Sequence, residues 1–240
     1  MQNRWKIPEK FPVLNHGQLH VWRGIYNEAD QHTGSSLSLD EQARSQRFHF
    51  DHDRGMFLYS HSLLRRLLAG YLDREPREVV YGYTKFGKPY LDQSVGKEKI
   101  EFNLSHSGDM VLIGITKDIP IGVDVEEITP IPDLNQIAAR YFSESEHSDL
   151  VTLSDSARIP AFYRCWTRKE SLIKAIGEGL SMPLDSFRVS LLPDEPARLF
   201  ESLDRRKWTL LDLNPTKGYT AAAAVPIPIL QAVQFSADGI

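Results

Sequence analysis

The chain has 240 residues, 41% of them hydrophobic and 25% charged, with a formal net charge of −4. Such a chain can bury a full core as one large domain or two small ones, with no disulfide or metal staple needed for folding. The weak negative charge excludes a nucleic-acid binder driven by bulk phosphate attraction, and a lone cysteine, Cys165, excludes an internal disulfide.

Met1 to Pro8 lacks the apolar core of a secretory signal, and no stretch approaches the roughly 18 apolar residues that span a bilayer. A cytoplasmic protein without membrane contact is expected. His20 to Ile25 reads as a first strand. Ser38 caps a helix that carries Asp40 and Glu41 in its first turn and runs past Arg44 and Arg47. A second helix starts near Asp51 or Asp53, with Leu63, Leu64, Leu67, Leu68 and Tyr71 at helical spacing. Strands follow at Val79–Tyr83, Phe102–Leu104, Met110–Thr116 and Ile121–Glu126. The segment Lys85-Phe86-Gly87-Lys88-Pro89 makes one turn and Ser105-His106-Ser107-Gly108 another.

The second half loosely repeats that order. Helices are predicted at Leu134–Tyr141, from Ser143, and from about Pro160 to Ile176, the last stopped by Gly177 and Gly179. Strands are predicted at Phe187–Leu191, Trp208–Leu213 and Tyr219–Val225. No repeat is visible residue by residue.

Three groups could carry chemistry. Ile121-Gly122-Val123-Asp124-Val125-Glu126 alternates, so Asp124 and Glu126 share one strand face about 7 Å apart at the backbone. Two carboxylates so placed suit a hard cation, although a solvated edge strand gives the same alternation. In the helix after Pro160, Trp166, Glu170 and Lys174 fall on one stripe with Lys169 beside it. That stripe is either a surface ion pair over a packed tryptophan or a metal carboxylate with two phosphate-binding lysines. The Ser-His-Ser-Gly turn offers hydroxyls, an imidazole and backbone N–H groups to an anion, or simply satisfies its own backbone. No Gly-x-Ser-x-Gly elbow surrounds these serines, which argues against a hydrolase nucleophile. Cys165 reads as an apolar filler.

Taken in order, Phe102-Asn103-Leu104-Ser105-His106-Ser107, Ile121 to Glu126, Phe142-Ser143-Glu144-Ser145-Glu146 and Trp166 to Lys174 resemble the signature of 4′-phosphopantetheinyl transferases. The length resembles the larger, surfactin-synthetase-activating type, and Gly87-Lys88-Pro89-Tyr90 matches that family's Gly-Lys-Pro turn. The resemblance covers about residues 38 to 190.

It implies an α/β (α+β) pseudo-dimer of two similar subdomains, with the active site in the cleft between them. Residues 1–118 would serve the adenine and 3′-phosphate side of coenzyme A, and 119–240 the metal and pyrophosphate side. It further implies Mg²⁺ on Asp124, Glu126 and Glu170. Coenzyme A contacts would come from Arg44, Arg54, Lys88, Pro89, Ser105, His106, Lys169 and Lys174. Catalysis would rest on Glu146, Glu170 and Lys174, with Glu146 favoured as the base. The second substrate would be an apo acyl or peptidyl carrier protein, and the internal pseudo-dimer would act as a monomer. The family often has a basic residue near the position of Met56, which is absent here, leaving Arg54 and Arg44 to grip the 3′-phosphate. A metal-dependent pyrophosphate hydrolase and a non-catalytic coenzyme A module are the competing readings of the same residues.

Overall fold

The computed structural model describes residues 5–29, 34–92, 99–177, 179, 182–200, 206–226, 228–229, 231–238 and 240. Its backbone is set first by two capping boxes. Helix α1 (Leu39–Ser45) opens with Ser38 Oγ accepting the Glu41 N–H while the Glu41 carboxylate accepts the Ser38 N–H. Ser143 and Glu146 open helix α4 (Glu144–Val151) in the same way. Helices α2 (Asp51–Leu72) and α5 (Asp155–Ile176) are 22 residues each. Helix α5 begins five residues before the expected Pro160, which is accommodated in its second turn. It ends as expected at Gly177, whose φ of +83° is the left-handed setting glycine adopts freely.

Two sheets carry these helices. The first has the order β4-β5-β1-β9, from β1 (Gln18–Ile25), β4 (Ile100–Ser107), β5 (Met110–Lys117) and β9 (Gln231–Ser236). The second has the order β6-β8-β7, from β6 (Gly122–Glu127), β7 (Thr209–Leu213) and β8 (Tyr219–Val225). A small hairpin, β2 (Tyr81–Tyr83) with β3 (Pro89–Leu91), presents the Gly87-Lys88 turn, and α3 (Leu134–Tyr141) precedes α4. Apart from β2–β3 in the first half and α3 in the second, each half therefore runs strand, capped helix, long helix, a 3₁₀ turn, then an antiparallel hairpin whose second strand pairs with the first strand of that half. The matching 3₁₀ turns are Pro76–Glu78 and Leu184–Ser186. This is the expected α/β pseudo-dimer.

The sheets meet face to face. Leu19, Val21, Ile121, Val123, Val125, Ala221 and Ala223 form one buried cluster between them, while α2 and α5 cover the outer faces. Burying Ile121, Val123 and Val125 sends Gly122, Asp124 and Glu126 towards α5, so both faces of β6 are covered.

Three elements differ from the sequence reading. Residues Phe187–Leu191 make no strand, only an isolated bridge from Val189 to Leu199. Ser105, His106 and Ser107 lie on β4 itself, and the tight turn falls at Gly108-Asp109. Strand β9, which periodicity did not reveal, returns to pair in parallel with β1, where Phe235 stacks on Trp22 at 4.6 Å between ring centroids. The expected division at 118/119 falls between β5 and β6, but residues 231–236 join the first sheet.

Candidate active site

Strands β4 and β6 belong to different sheets and are joined by side chains. Asn103 Oδ1 accepts the Val123 N–H at 2.8 Å, Ser105 Oγ the Val125 N–H at 3.4 Å, and Ser107 Oγ the Glu127 N–H at 3.1 Å. Two-residue steps on both strands keep these contacts on matching faces. The hydroxyls also donate, Ser105 to Asp124 Oδ1 at 2.9 Å and Ser107 to Glu126 Oε2 at 2.8 Å. One row of small polar residues thus ties the halves together and aims two carboxylates.

Helix α5 closes the site from the other side. Its backbone lies directly on β6 because residue 122 is glycine, and a methyl there would overlap the Ser171 carbonyl oxygen. That approach brings Lys174 Nζ to 2.6 Å from Asp124 Oδ1 and 3.0 Å from Ser105 Oγ. Lys88, from the β2–β3 turn, donates to the carbonyls of Ile121 at 3.1 Å and Lys174 at 2.6 Å. Burial lowers its pKa to about 8.

Charge is concentrated here. Asp124 is 3% exposed, and burial raises its pKa even against the Lys174 ammonium. Burial and then the Asp124 charge raise Glu126 and Glu170. The His106 imidazole is held below its usual value by partial desolvation, then by His61 and Lys174. A pocket of about 280 Å³ opens beside this cluster, lined by Phe86, Lys88, Pro89, Asn103, Glu170 and Lys174 among others.

The donor set fits a hard divalent cation. Asp124 Oδ2 is buried without a hydrogen-bond partner among the described residues, an arrangement that costs free energy unless something positive completes it. As the side chains stand, no group of three or more His, Cys, Asp or Glu among the described residues is arranged to hold a metal ion. The reason is visible at two ligands: Lys174 and Ser105 engage Asp124 Oδ1, and Ser107 engages Glu126 Oε2.

Other expected residues divide. Arg44 lines a groove of about 500 Å³ with Arg47 and Arg77, its guanidinium 5.3 Å from the Phe57 ring centroid. Arg54 is turned away to Asp51 and the Phe48 carbonyl. Trp166 leaves the stripe to pack on Phe162 and Tyr141.

Glu146 and Lys169 do not join the cleft. Both are 0% exposed and pair at 2.7 Å. Glu146 also accepts the N–H groups of Ser143 and Val189, and Lys169 donates to the carbonyls of Leu184 and Phe187. The Glu146 carboxylate is therefore enclosed and paired, and is not presented to the cleft. The sequence hinted at this, since Ser143-x-x-Glu146 is itself a capping box.

Asn103, Ser107 and Gly122 were missed as site builders because their partners lie on another strand or helix. Arg168, which grips Asp212 with two hydrogen bonds at 2.8 and 2.6 Å, was missed for the same reason.

Residues 120–224 match the family model of the 4′-phosphopantetheinyl transferase superfamily, and residues 20–117 match that of the 4′-phosphopantetheinyl transferase N-terminal region. The chain is 35% identical to the 4′-phosphopantetheinyl transferase HetI of Nostoc sp. (strain PCC 7120) over 94% of both chains. The chain belongs to the 4′-phosphopantetheinyl transferase superfamily. Among these transferases, Sfp of Bacillus subtilis (strain 168) is 32% identical over 73% of this chain and 76% of its own. The human L-aminoadipate-semialdehyde dehydrogenase-phosphopantetheinyl transferase is 30% identical over 66% of this chain and 54% of its own. These matches support the larger, Sfp-like type.

Proposed function

We propose that this transferase moves the 4′-phosphopantetheine arm of coenzyme A to a serine hydroxyl of an apo carrier protein, releasing adenosine 3′,5′-bisphosphate. Asp124, Glu126 and Glu170 would hold Mg²⁺, which when bound neutralises charge on the pyrophosphate. The observation that carries this reading is the buried, unpartnered Asp124 Oδ2 within three carboxylates of raised pKa, beside a pocket that holds two lysines.

This chain's own residues then act by placement and charge. Lys174, fixed by Asp124 and Ser105, offers a preorganised cation to phosphate oxygens. His106, next to Lys174 in charge and position, donates to a neighbouring phosphate. Lys88 and Pro89 frame the adenine end of the pocket, and Arg44 faces the 3′-phosphate from its basic groove. The incoming serine loses its proton to Glu170 through water, because Glu146 is sealed in the core. Most of the acceleration comes from holding hydroxyl and phosphorus in line.

A cytoplasmic setting is part of this proposal, and among the described residues no helix is long and apolar enough to cross a membrane. The duplicated halves support a monomer, since one chain already supplies both walls of the cleft.

The test is the intact mass of an apo carrier protein incubated with this enzyme, coenzyme A and Mg²⁺, with an EDTA control. Gain of one phosphopantetheine arm, lost with EDTA, is expected. No gain across several unrelated carriers overturns the transfer, and a gain indifferent to EDTA overturns the metal assignment.

A further inference from the structure

The buried Glu146–Lys169 pair has a counterpart in the first half. Glu41, the capping-box glutamate of α1, accepts from Arg65 Nε at 2.6 Å, and the side chains are only 5% and 3% exposed. Arg65 donates to the carbonyls of Pro76 and Val79, the first residue of a 3₁₀ turn and the residue that ends it. Lys169 does the same to Leu184 and Phe187, the first residue of the Leu184–Ser186 3₁₀ turn and the residue that ends it.

The match continues one helical turn earlier. His61, four residues before Arg65, bonds Glu41, and Cys165, four residues before Lys169, is buried near Glu146, where burial and then that carboxylate's charge push its thiol pKa up. An aromatic ring flanks each cation: Tyr81 at 4.8 Å from Arg65 and Phe187 at 4.2 Å from Lys169. In both copies a capped glutamate, two helix positions four apart and two carbonyls close one buried polar knot.

We infer that Glu146 and Lys169 are the second copy of a duplicated structural clamp, and that they position α5 without taking part in proton transfer. Every donor of the Lys169 ammonium is used, so the clamp fixes the rotation of α5 about its axis. Glu170 follows Lys169, about 100° further round the helix, and Lys174 lies just over a turn beyond it. Locking Lys169 into the core therefore turns Glu170 and Lys174 towards Asp124. The same frame carries different cargo in each half. Facing its long helix, β1 presents His20 and Trp22, whereas β6 presents Asp124 and Glu126.

The clamp assignment rests on geometry alone, and only its activity arm depends on the proposed transfer. Glu146→Gln, Glu41→Gln and the paired replacement Glu146→Leu with Lys169→Met would be compared by thermal unfolding and by kcat and KM across pH. Each Gln variant is expected to lower Tm by on the order of 10 °C, because it strands a buried cation. The double variant buries no charge but leaves the Ser143 and Val189 N–H groups and the Leu184 and Phe187 carbonyls without these partners, so it should recover part of that loss. It should keep kcat within about tenfold and leave the acidic limb of the kcat profile in place, with KM for coenzyme A raised several-fold as Lys174 loses its setting.

A double variant that stays folded at the assay temperature yet loses about 10²-fold or more in kcat, together with the acidic limb, would make Glu146 the base. An unchanged Tm in either Gln variant would dissolve the clamp. Should the wild-type chain transfer nothing, the proposed function fails while the Tm comparison still decides the clamp.

Discussion

Lys174 Nζ stands 2.6 Å from Asp124 Oδ1, and the other oxygen of that buried carboxylate has no hydrogen-bond partner among the described residues. The pair joins the last turn of α5 to the middle of β6, and so couples the cation that would meet phosphate to the carboxylate that would meet metal.

Replacing Asp124 by Asn should cut carrier-protein transfer by about 10³-fold or more, since a charged oxygen ligand disappears. The fold should survive. Lys174 keeps 29% side-chain exposure and can turn to water, so Tm should move by no more than a few degrees. Millimolar Mg²⁺ should raise Tm of the wild type and leave Asp124→Asn unmoved, because only the native state that binds the ion is stabilised. Differential scanning fluorimetry with and without Mg²⁺ reads both arms, and equal Mg²⁺ shifts would remove Asp124 from the metal site.

Ser107 aims Glu126 while holding the Glu127 N–H. Ser107→Ala should leave that N–H without its partner and free Glu126 to wander, costing about 1–2 kcal/mol. The transfer assay should show a several-fold higher Mg²⁺ requirement with kcat largely restored at saturating ion. A normal Mg²⁺ titration would reduce Ser107 to a tie between the sheets.

Gly122 sets how closely α5 approaches β6. Gly122→Ala should push the helix off the strand at Ser171 and Ala175, costing about 3 kcal/mol through overpacking. Transfer should fall together with Tm, because Glu170 and Lys174 ride on the displaced helix. Urea unfolding followed by the mass assay checks this, and wild-type values for both would contradict the packing described.

The buried imidazole of His20 bonds Tyr71 at 2.7 Å, and burial lowers its pKa to about 4. Between pH 6.5 and 4 the unfolded chain takes a proton that the folded chain refuses, so stability falls as pH drops through that window. The full swing is on the order of 3 kcal/mol. His20→Gln should flatten that part of the stability profile, measured by urea unfolding at pH 7 and pH 4.5. An equal drop in the variant would assign the acid sensitivity elsewhere.

The sequence alone carried what depends on neighbours along the chain. The Ser38 cap, the helix start at Ser143, the Gly177 stop and the alternation of β6 are local patterns with local physics. Alternation correctly put Asp124 and Glu126 on one face, but it could not say that α5 covers that face and makes Asp124 a buried carboxylate. Helical spacing put Lys169 beside Glu170 without showing that 0% exposure removes it from the cleft. Ser105 and Ser107 were legible as polar residues near a turn; that their hydroxyls bridge two sheets was settled only when β4 and β6 came side by side. The first sheet likewise waited for β9, whose pairing with β1 spans the length of the chain. Local free energies choose helices, caps and turns, whereas burial and long-range pairing decide which charged groups meet solvent and which are locked inside.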